Sequence, residues 1–156
     1  MSIILRRKAQ PLLAALAFAV SLVAPAHAED ARNIDGYTVY LGVVPAEIVK
    51  GHIPGYPEQE MHGGVPYRRG QYHVMVVIFE TASGKRVIDA RVMARVSETG
   101  LGSEQKPLEP MVIAGAMSFG NYSPMGGPGP YSIKVGLELP TAKRKLETEF
   151  RYARPR

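Results

Sequence analysis

The stretch RVIDARVMARVS, residues 86–97, alternates in polarity from Ile88 onward. From there one face carries only apolar residues, Ile88, Ala90, Val92, Ala94 and Val96, and the other, mainly polar, carries Asp89, Arg91, Met93, Arg95 and Ser97. A period of two residues puts neighbouring side chains on opposite faces of a β-strand. The stretch therefore predicts a strand with one face in a hydrophobic core and the other in water.

The same alternation recurs along the chain, between turns that contain glycine and proline. Further strands are predicted at residues 37–44, 72–80, 108–113, 117–122, 131–139 and 146–152. Residues 72–80 are apolar on both faces, which is typical of a central strand. Residues 45–50 fit either a short helical turn or an edge strand. We therefore predict an all-β fold, an immunoglobulin-like antiparallel β-sandwich of about seven strands, with a small barrel as the alternative.

The first 28 residues have the pattern of a cleaved signal peptide. Arg6, Arg7 and Lys8 precede an apolar run, and the end of the segment, Ala26-His27-Ala28, has the small-x-small form of a cleavage site. The apolar run is shorter than the roughly 20 residues of a membrane-spanning helix, so we expect cleavage and no stable membrane anchor. The mature protein would then be one domain, residues 29–156, in the periplasm.

The composition of the mature chain argues against some classes of binding partner. Without the three basic residues of the leader, 16 basic residues stand against 14 acidic ones, a net charge of +2. This near balance argues against nucleic acid or an anionic membrane as a partner. The chain has no cysteine, which excludes disulfides and a lipid anchor on cysteine.

Two pairs of soft donor residues are the clearest signal of chemistry. They are Met61-His62 and, ten residues later, His73-Val74-Met75. Imidazole and thioether together favour copper over Mg²⁺ or Ca²⁺, and residues two apart on a strand share a face about 6.6 Å apart. The alternative is that Met75 packs in the core beside Val77 and Phe79 while His73 ends a strand.

Loop residues add to this candidate site. His62 lies in a glycine-rich loop where no apolar periodicity accounts for it, and Met61 precedes it directly. Met125 lies in a second loop rich in glycine and proline, and loops at one end of a sandwich cluster in space. We therefore predict a copper site formed by His62, His73 and Met75, with Met61 and Met125 as further candidate ligands. His52 is a weaker candidate, better explained as a solvated loop residue.

The chain also resembles a known family over about residues 70–140. The run GKRVIDARV at residues 84–92, the EPM at residues 109–111 and the GPYSIKV at residues 129–135 are similar to motifs of YtkA-like and FixH-like bacterial envelope domains. The resemblance implies an immunoglobulin-like sandwich without enzymatic activity, linked in several members to metal handling or assembly of copper oxidases. The predicted lack of an anchor departs from the FixH-like pattern.

Enzyme motifs are absent. The segment AMSFG at residues 116–120 lacks the first glycine of a nucleophile elbow, and no helix follows it. The sequence contains neither a His-Glu-x-x-His zinc motif nor a phosphate-binding loop. We therefore predict a non-enzymatic protein that binds or delivers copper to an envelope partner. The alternative is a metal-free interaction or structural module, for which the Met93 face is a candidate surface.

Overall fold

The computed structural model describes residues 31–51, 61–98 and 104–154, and it is built almost entirely of strands. The strands are β1 (Ala31–Ile34), β2 (Tyr37–Pro45), β3 (Gln71–Glu80), β4 (Arg91–Glu98), β5 (Gln105–Ile113), β6 (Ala116–Pro124), β7 (Tyr131–Glu138) and β8 (Leu146–Tyr152). A short helix, α1 (Ala46–Lys50), follows β2, and a 3₁₀ turn (Met61–Gly63) precedes β3. In the described ranges, no helix is long and apolar enough to cross a membrane.

The strands form one antiparallel array that is nearly closed on itself. Their order is β1-β2-β3-β6-β5-β4-β7-β8. The two outer strands approach each other, since Arg32 of β1 donates from Nε to the carbonyl of Glu149 in β8 at 3.2 Å. The predicted all-β class is confirmed as an eight-stranded fold between a sandwich and a barrel, while strand β1 was missed. The predicted signal peptide and His52 lie outside the described residues.

The stretch at residues 86–97 is only partly a strand. Its second half forms β4 with the predicted faces, because Val92 and Ala94 are buried while Arg91 and Arg95 are exposed. The prediction is wrong for residues 86–90, where the strand pairing is limited to an isolated bridge between Arg86 and Phe79. The reason is topological: β3 and β4 are separated by β6 and β5, so the chain must cross between them. Residues 46–50 form helix α1, the first of the two predicted alternatives.

The two faces of β3 have different surroundings. Val74, Val76 and Ile78 point into the hydrophobic core, which also contains residues from β2 and β4 to β8. By alternation, His73 and Met75 lie on the outer face. The interpretation of Met75 as a core residue is therefore wrong, and its side chain is only half-buried.

The register of the sheet brings particular residues together on this outer face. His73 pairs with Tyr122 of β6, and Met75 pairs with Gly120. Residue 120 in turn pairs with Glu109 of β5, two positions before Met111. Directly opposed residues share a face, so β3, β6 and β5 present histidine, tyrosine, methionine and glutamate to one surface.

Candidate metal centre

His73 is buried although it lies on the outer face of the sheet. Its exposed fraction is 1%, and its ring stacks on that of Tyr122 with a centroid distance of 4.8 Å. Burial, and next the charge of His62, lower the pKa of His73 from 6.5 to about 4. Its Nε2 atom is buried and has no hydrogen-bond partner. At neutral pH this histidine is therefore an uncharged imidazole, the form that binds metals.

The cover over His73 is a tight turn, residues 61–64, which we call the cap turn. His62 adopts a left-handed conformation, with φ 56° and ψ 30°, and Gly63 and Gly64 follow with φ of 77° and 94°. The turn is closed by the Gly64 amide, which donates to the carbonyl of Met61 at 3.0 Å. Left-handed backbone is costly for a residue with a side chain, so His62 is held here by its surroundings.

The left-handed turn directs His62 inward, against His73. The two ring centroids are 5.4 Å apart, and the His62 side chain is 3% exposed. Two imidazole rings with centroids this close can bind one metal ion between them. Loop and strand therefore meet in space, which is the condition on which the predicted histidine site depends.

Glu109 orients the His62 ring. Its Oε2 lies 2.8 Å from Nδ1 of His62, and its side chain remains 53% exposed. A carboxylate accepts the bond, so Nδ1 carries the proton and the neutral ring keeps its lone pair on Nε2. That Nε2 is buried and, like Nε2 of His73, has no hydrogen-bond partner. A carboxylate that fixes a histidine in this way is the usual outer neighbour of a metal-binding imidazole.

Gly120 has no side chain, and His73 and Met111 pack closely over its Cα. A Cβ atom at position 120 would lie 2.9 Å from His73 Nε2, 3.0 Å from Met111 Sδ and 2.5 Å from Met111 Cε. Nitrogen and sulfur therefore approach the same point above the glycine. Met111 is itself only 4% exposed. One imidazole nitrogen and one thioether thus meet above Gly120, at a point that a side chain there would occupy, and Glu109, which binds Nδ1 of His62, pairs with Gly120.

The other predicted ligands lie elsewhere. The Cε atom of Met75 is 3.2 Å from the position of a Cβ on Gly42, so this thioether extends over β2 and not over Gly120. Met125 is fully buried in the hydrophobic core, because the alternation of β6 continues past Pro124 and turns this side chain inward. Met61 is half-buried in the cap turn.

Sequence reasoning missed Met111 and Glu109 as site residues. They lie two apart in β5 and so share the outer face, the same relation that drew attention to His73 and Met75. Across the described ranges, no three His, Asp or Glu side chains form a group able to hold a metal. A candidate metal site at this place therefore includes the Met111 thioether, which makes its donors soft.

Comparison with known proteins gives the fold and no family. No protein-family model matches the chain, and no curated protein matches it, so the YtkA-like and FixH-like resemblance is not confirmed.

Several solved structures are similar. A copper-bound variant of FetP from uropathogenic Escherichia coli strain F11 matches with TM-score 0.62 and 13% identity, over 81% of this chain and 94% of that one. A copper-bound variant of Campylobacter jejuni P19 gives 0.59 and 10%, over 80% and 94%. A DUF4426-family protein of Pseudomonas aeruginosa PAO1 gives 0.56 and 15%, over 80% and 96%. At these identities the likeness extends to the fold, which this chain shares with all three.

Proposed function

We propose that this protein binds copper as Cu(I) through Nε2 of His62, Nε2 of His73 and the thioether of Met111. The observation that carries the proposal is the pair of buried Nε2 atoms without hydrogen-bond partners, beside a thioether and a residue that lacks a side chain. Buried polar atoms are normally satisfied, so two adjacent orphans need an explanation. A metal ion that both nitrogens bind supplies one.

The donor set favours copper over other ions. Imidazole and thioether are soft to intermediate ligands that suit Cu(I), whereas Mg²⁺ and Ca²⁺ require several oxygens. A carboxylate is present only as the hydrogen-bond acceptor of His62, at 2.8 Å. Copper-bound FetP and P19 have similar folds, which supports the same choice of metal for this chain.

The burial of the ligands suits a carrier that releases copper by a movement. His73 and Met111 are held by the hydrogen-bonded ladders of β3, β6 and β5. His62 belongs to the cap turn, whose backbone is left-handed at three successive residues. Opening of the turn would remove one of three ligands and expose the ion. We propose delivery by this route, in the periplasm, without an enzymatic reaction.

The test is a competition titration with a chromophoric Cu(I) chelator under reducing conditions. The mature protein is expected to bind one Cu(I), and His73→Ala and Met111→Leu are each expected to weaken binding by at least tenfold, or about 1.4 kcal/mol. Met93→Leu is the matched control: Met93 lies on β4 opposite Pro107 and Gly136, outside the proposed ligand set, so the affinity should be unchanged.

Two outcomes would contradict the proposal. The first is a wild-type affinity no tighter than that of His73→Ala. The second is retention of Cu(I) by the His62→Ala, His73→Ala double variant, shown to be folded by circular dichroism.

A further inference from the structure

An exposed basic surface lies beside the cap turn. Tyr67 is 96% exposed, and Arg68 and Arg69, which follow it, are exposed as well. Lys50, at the end of α1, has its Nζ 5.0 Å from the centre of the Tyr67 ring. We call these four residues the basic platform.

Folding does not account for the basic platform. A tyrosine ring this exposed buries almost no apolar surface, so it adds little to the free energy of unfolding. Arg68 and Arg69 have no carboxylate within 4 Å among the described residues. Elsewhere arginines do have partners, as Arg144 has in Asp35 at 2.7 Å. Even if the exposed Glu47 of α1 is counted with the platform, two positive charges remain.

The basic platform is joined to the moving part of the copper site. Its segment Tyr67-Arg68-Arg69 begins two residues after the cap turn and is followed by Gly70, whose carbonyl accepts from the Met125 amide at 2.7 Å. Gly70 is further fixed by close packing, since a Cβ there would lie 2.7 Å from the Cα of Gly126. Gly70 is therefore held in place when a partner displaces Arg68 and Arg69. The displacement is transmitted to the cap turn instead.

We propose that the basic platform is the docking surface for an acidic protein that exchanges copper with the His62, His73 and Met111 site, an inference that rests on the proposed function. Tyrosine and arginine are the residues that most often dominate binding energy at protein interfaces. The positive charges of Lys50, Arg68 and Arg69 favour a partner whose contact surface carries carboxylates, and they increase its rate of association. Three basic residues are too few for a membrane surface, where clusters of four to eight are typical.

The test uses designed peptides as acceptors. Each contains the same Met-Gly-Gly-Met copper-binding core, followed by four aspartates, four serines or four lysines. Transfer of Cu(I) from the loaded mature protein is followed by stopped flow at low and at high salt. The aspartate peptide is expected to take copper about three- to tenfold faster than the serine peptide at low salt, and the excess should vanish at high salt.

Paired variants then locate the effect. Arg68→Ala combined with Arg69→Ala should remove the advantage of the aspartate peptide and leave the rate of the serine peptide unchanged. The matched control is Arg95→Ala combined with Lys134→Ala, two exposed cations that face each other across β4 and β7. This control removes the same charge at a distance and should keep the advantage.

Several results would overturn the inference. They are equal wild-type rates for the aspartate and serine peptides, loss of the advantage in the control pair, and retention of it in the Arg68 and Arg69 pair. Binding to vesicles of anionic phospholipid that depends on Arg68 and Arg69, without preference for the aspartate peptide, would identify a membrane instead.

Failure of the proposed function is measured separately. The Cu(I) titration reports it directly, and fluorescence anisotropy of the labelled aspartate peptide, without metal, tests docking on the metal-free protein. A protein that binds the peptide through Arg68 and Arg69 but holds no Cu(I) would retain the docking surface and lose the copper function. A protein that holds Cu(I) but does not bind the peptide would retain the copper function and lose the docking surface.

Discussion

Both faces of β3 contain fully buried side chains, but for opposite reasons. On the inner face, Val74, Val76 and Ile78 are covered by the apolar side chains of other strands. On the outer face, His73 is covered by the cap turn and by Tyr122. Apolar contact stabilises the inner face, whereas covering His73 leaves a polar atom without a partner. Burial alone therefore does not separate a core from a site, and the satisfaction of polar atoms does.

The largest expected difference between the faces is in stability. Ile78→Ala removes a fully buried side chain and should lower the free energy of unfolding by about 2 to 5 kcal/mol. Val77→Ala, the next residue on the outer face, should cost no more than about 1 kcal/mol, since this side chain is only half-buried. Urea denaturation measures both. Equal losses would show that the outer face is packed as tightly as the core.

The second difference is in the response to pH. The pKa of His73 falls from 6.5 to about 4 in the folded protein, so the unfolded chain takes up this proton first as pH falls. The stability associated with neutral His73 is complete above about pH 6.5 and is lost between pH 6.5 and 4. The loss amounts to about 3 kcal/mol.

Denaturation of the metal-free protein at pH 7, 5.5 and 4 measures this dependence. His73→Phe keeps a ring against Tyr122 and cannot titrate, so it serves as the control. Its stability should fall less steeply than that of the wild type over this interval. If the stability of wild type and His73→Phe fell equally with pH, His73 would not titrate with a lowered pKa. Ile78→Ala is a second control: it removes no titratable group, so its stability should depend on pH as that of the wild type does.

The third difference is between two methionines of the outer face. Met111→Leu keeps the volume and removes the sulfur, so affinity for Cu(I) should fall by about 10- to 100-fold, or ~1.4 to 2.7 kcal/mol. Met75→Leu should change it by no more than about twofold, because this side chain extends over Gly42. The same chelator titration compares them. A larger loss for Met75→Leu would restore the ligand set expected from the sequence.

The smallest expected effect concerns the cover itself. Gly63 has φ 77°, and a Cβ there would meet nothing within 4 Å, so Gly63→Ala introduces backbone strain alone. A cost of about 1 kcal/mol should favour opening of the cap turn and speed removal of Cu(I) by excess chelator about fivefold. Gly36→Ala, at φ 83° in an equally open but distant turn, is the control. Equal release rates for both variants would exclude the cap turn as the gate.

The sequence predicted the strands better than their arrangement. Seven of the eight were predicted, most clearly those at residues 131–139 and 146–152, where period-two alternation reports directly which side chains meet a core. It missed β1, whose four residues are too few for a pattern. It also extended β4 back to residue 86, since alternation carries no information on where a chain must leave one strand and cross to another.

The site was predicted in part for the same reason. His62 and His73 were identified by residue type, and the structure brings their rings together. Met75 was predicted because it is two residues from His73, and Met111 was not considered as a ligand. Which thioether lies beside the imidazoles depends on the register of β3, β6 and β5 and on the absence of a side chain at Gly120.

The sequence by itself therefore determined the all-β class, the alternation of faces and the soft character of the candidate ligands. These follow from side-chain chemistry and from the local geometry of a strand. Only the tertiary structure decided that His73 faces outward, that the left-handed turn at His62 covers it, and that Met111 lies beside His73. Such choices depend on pairing between residues tens of positions apart, which no local pattern encodes.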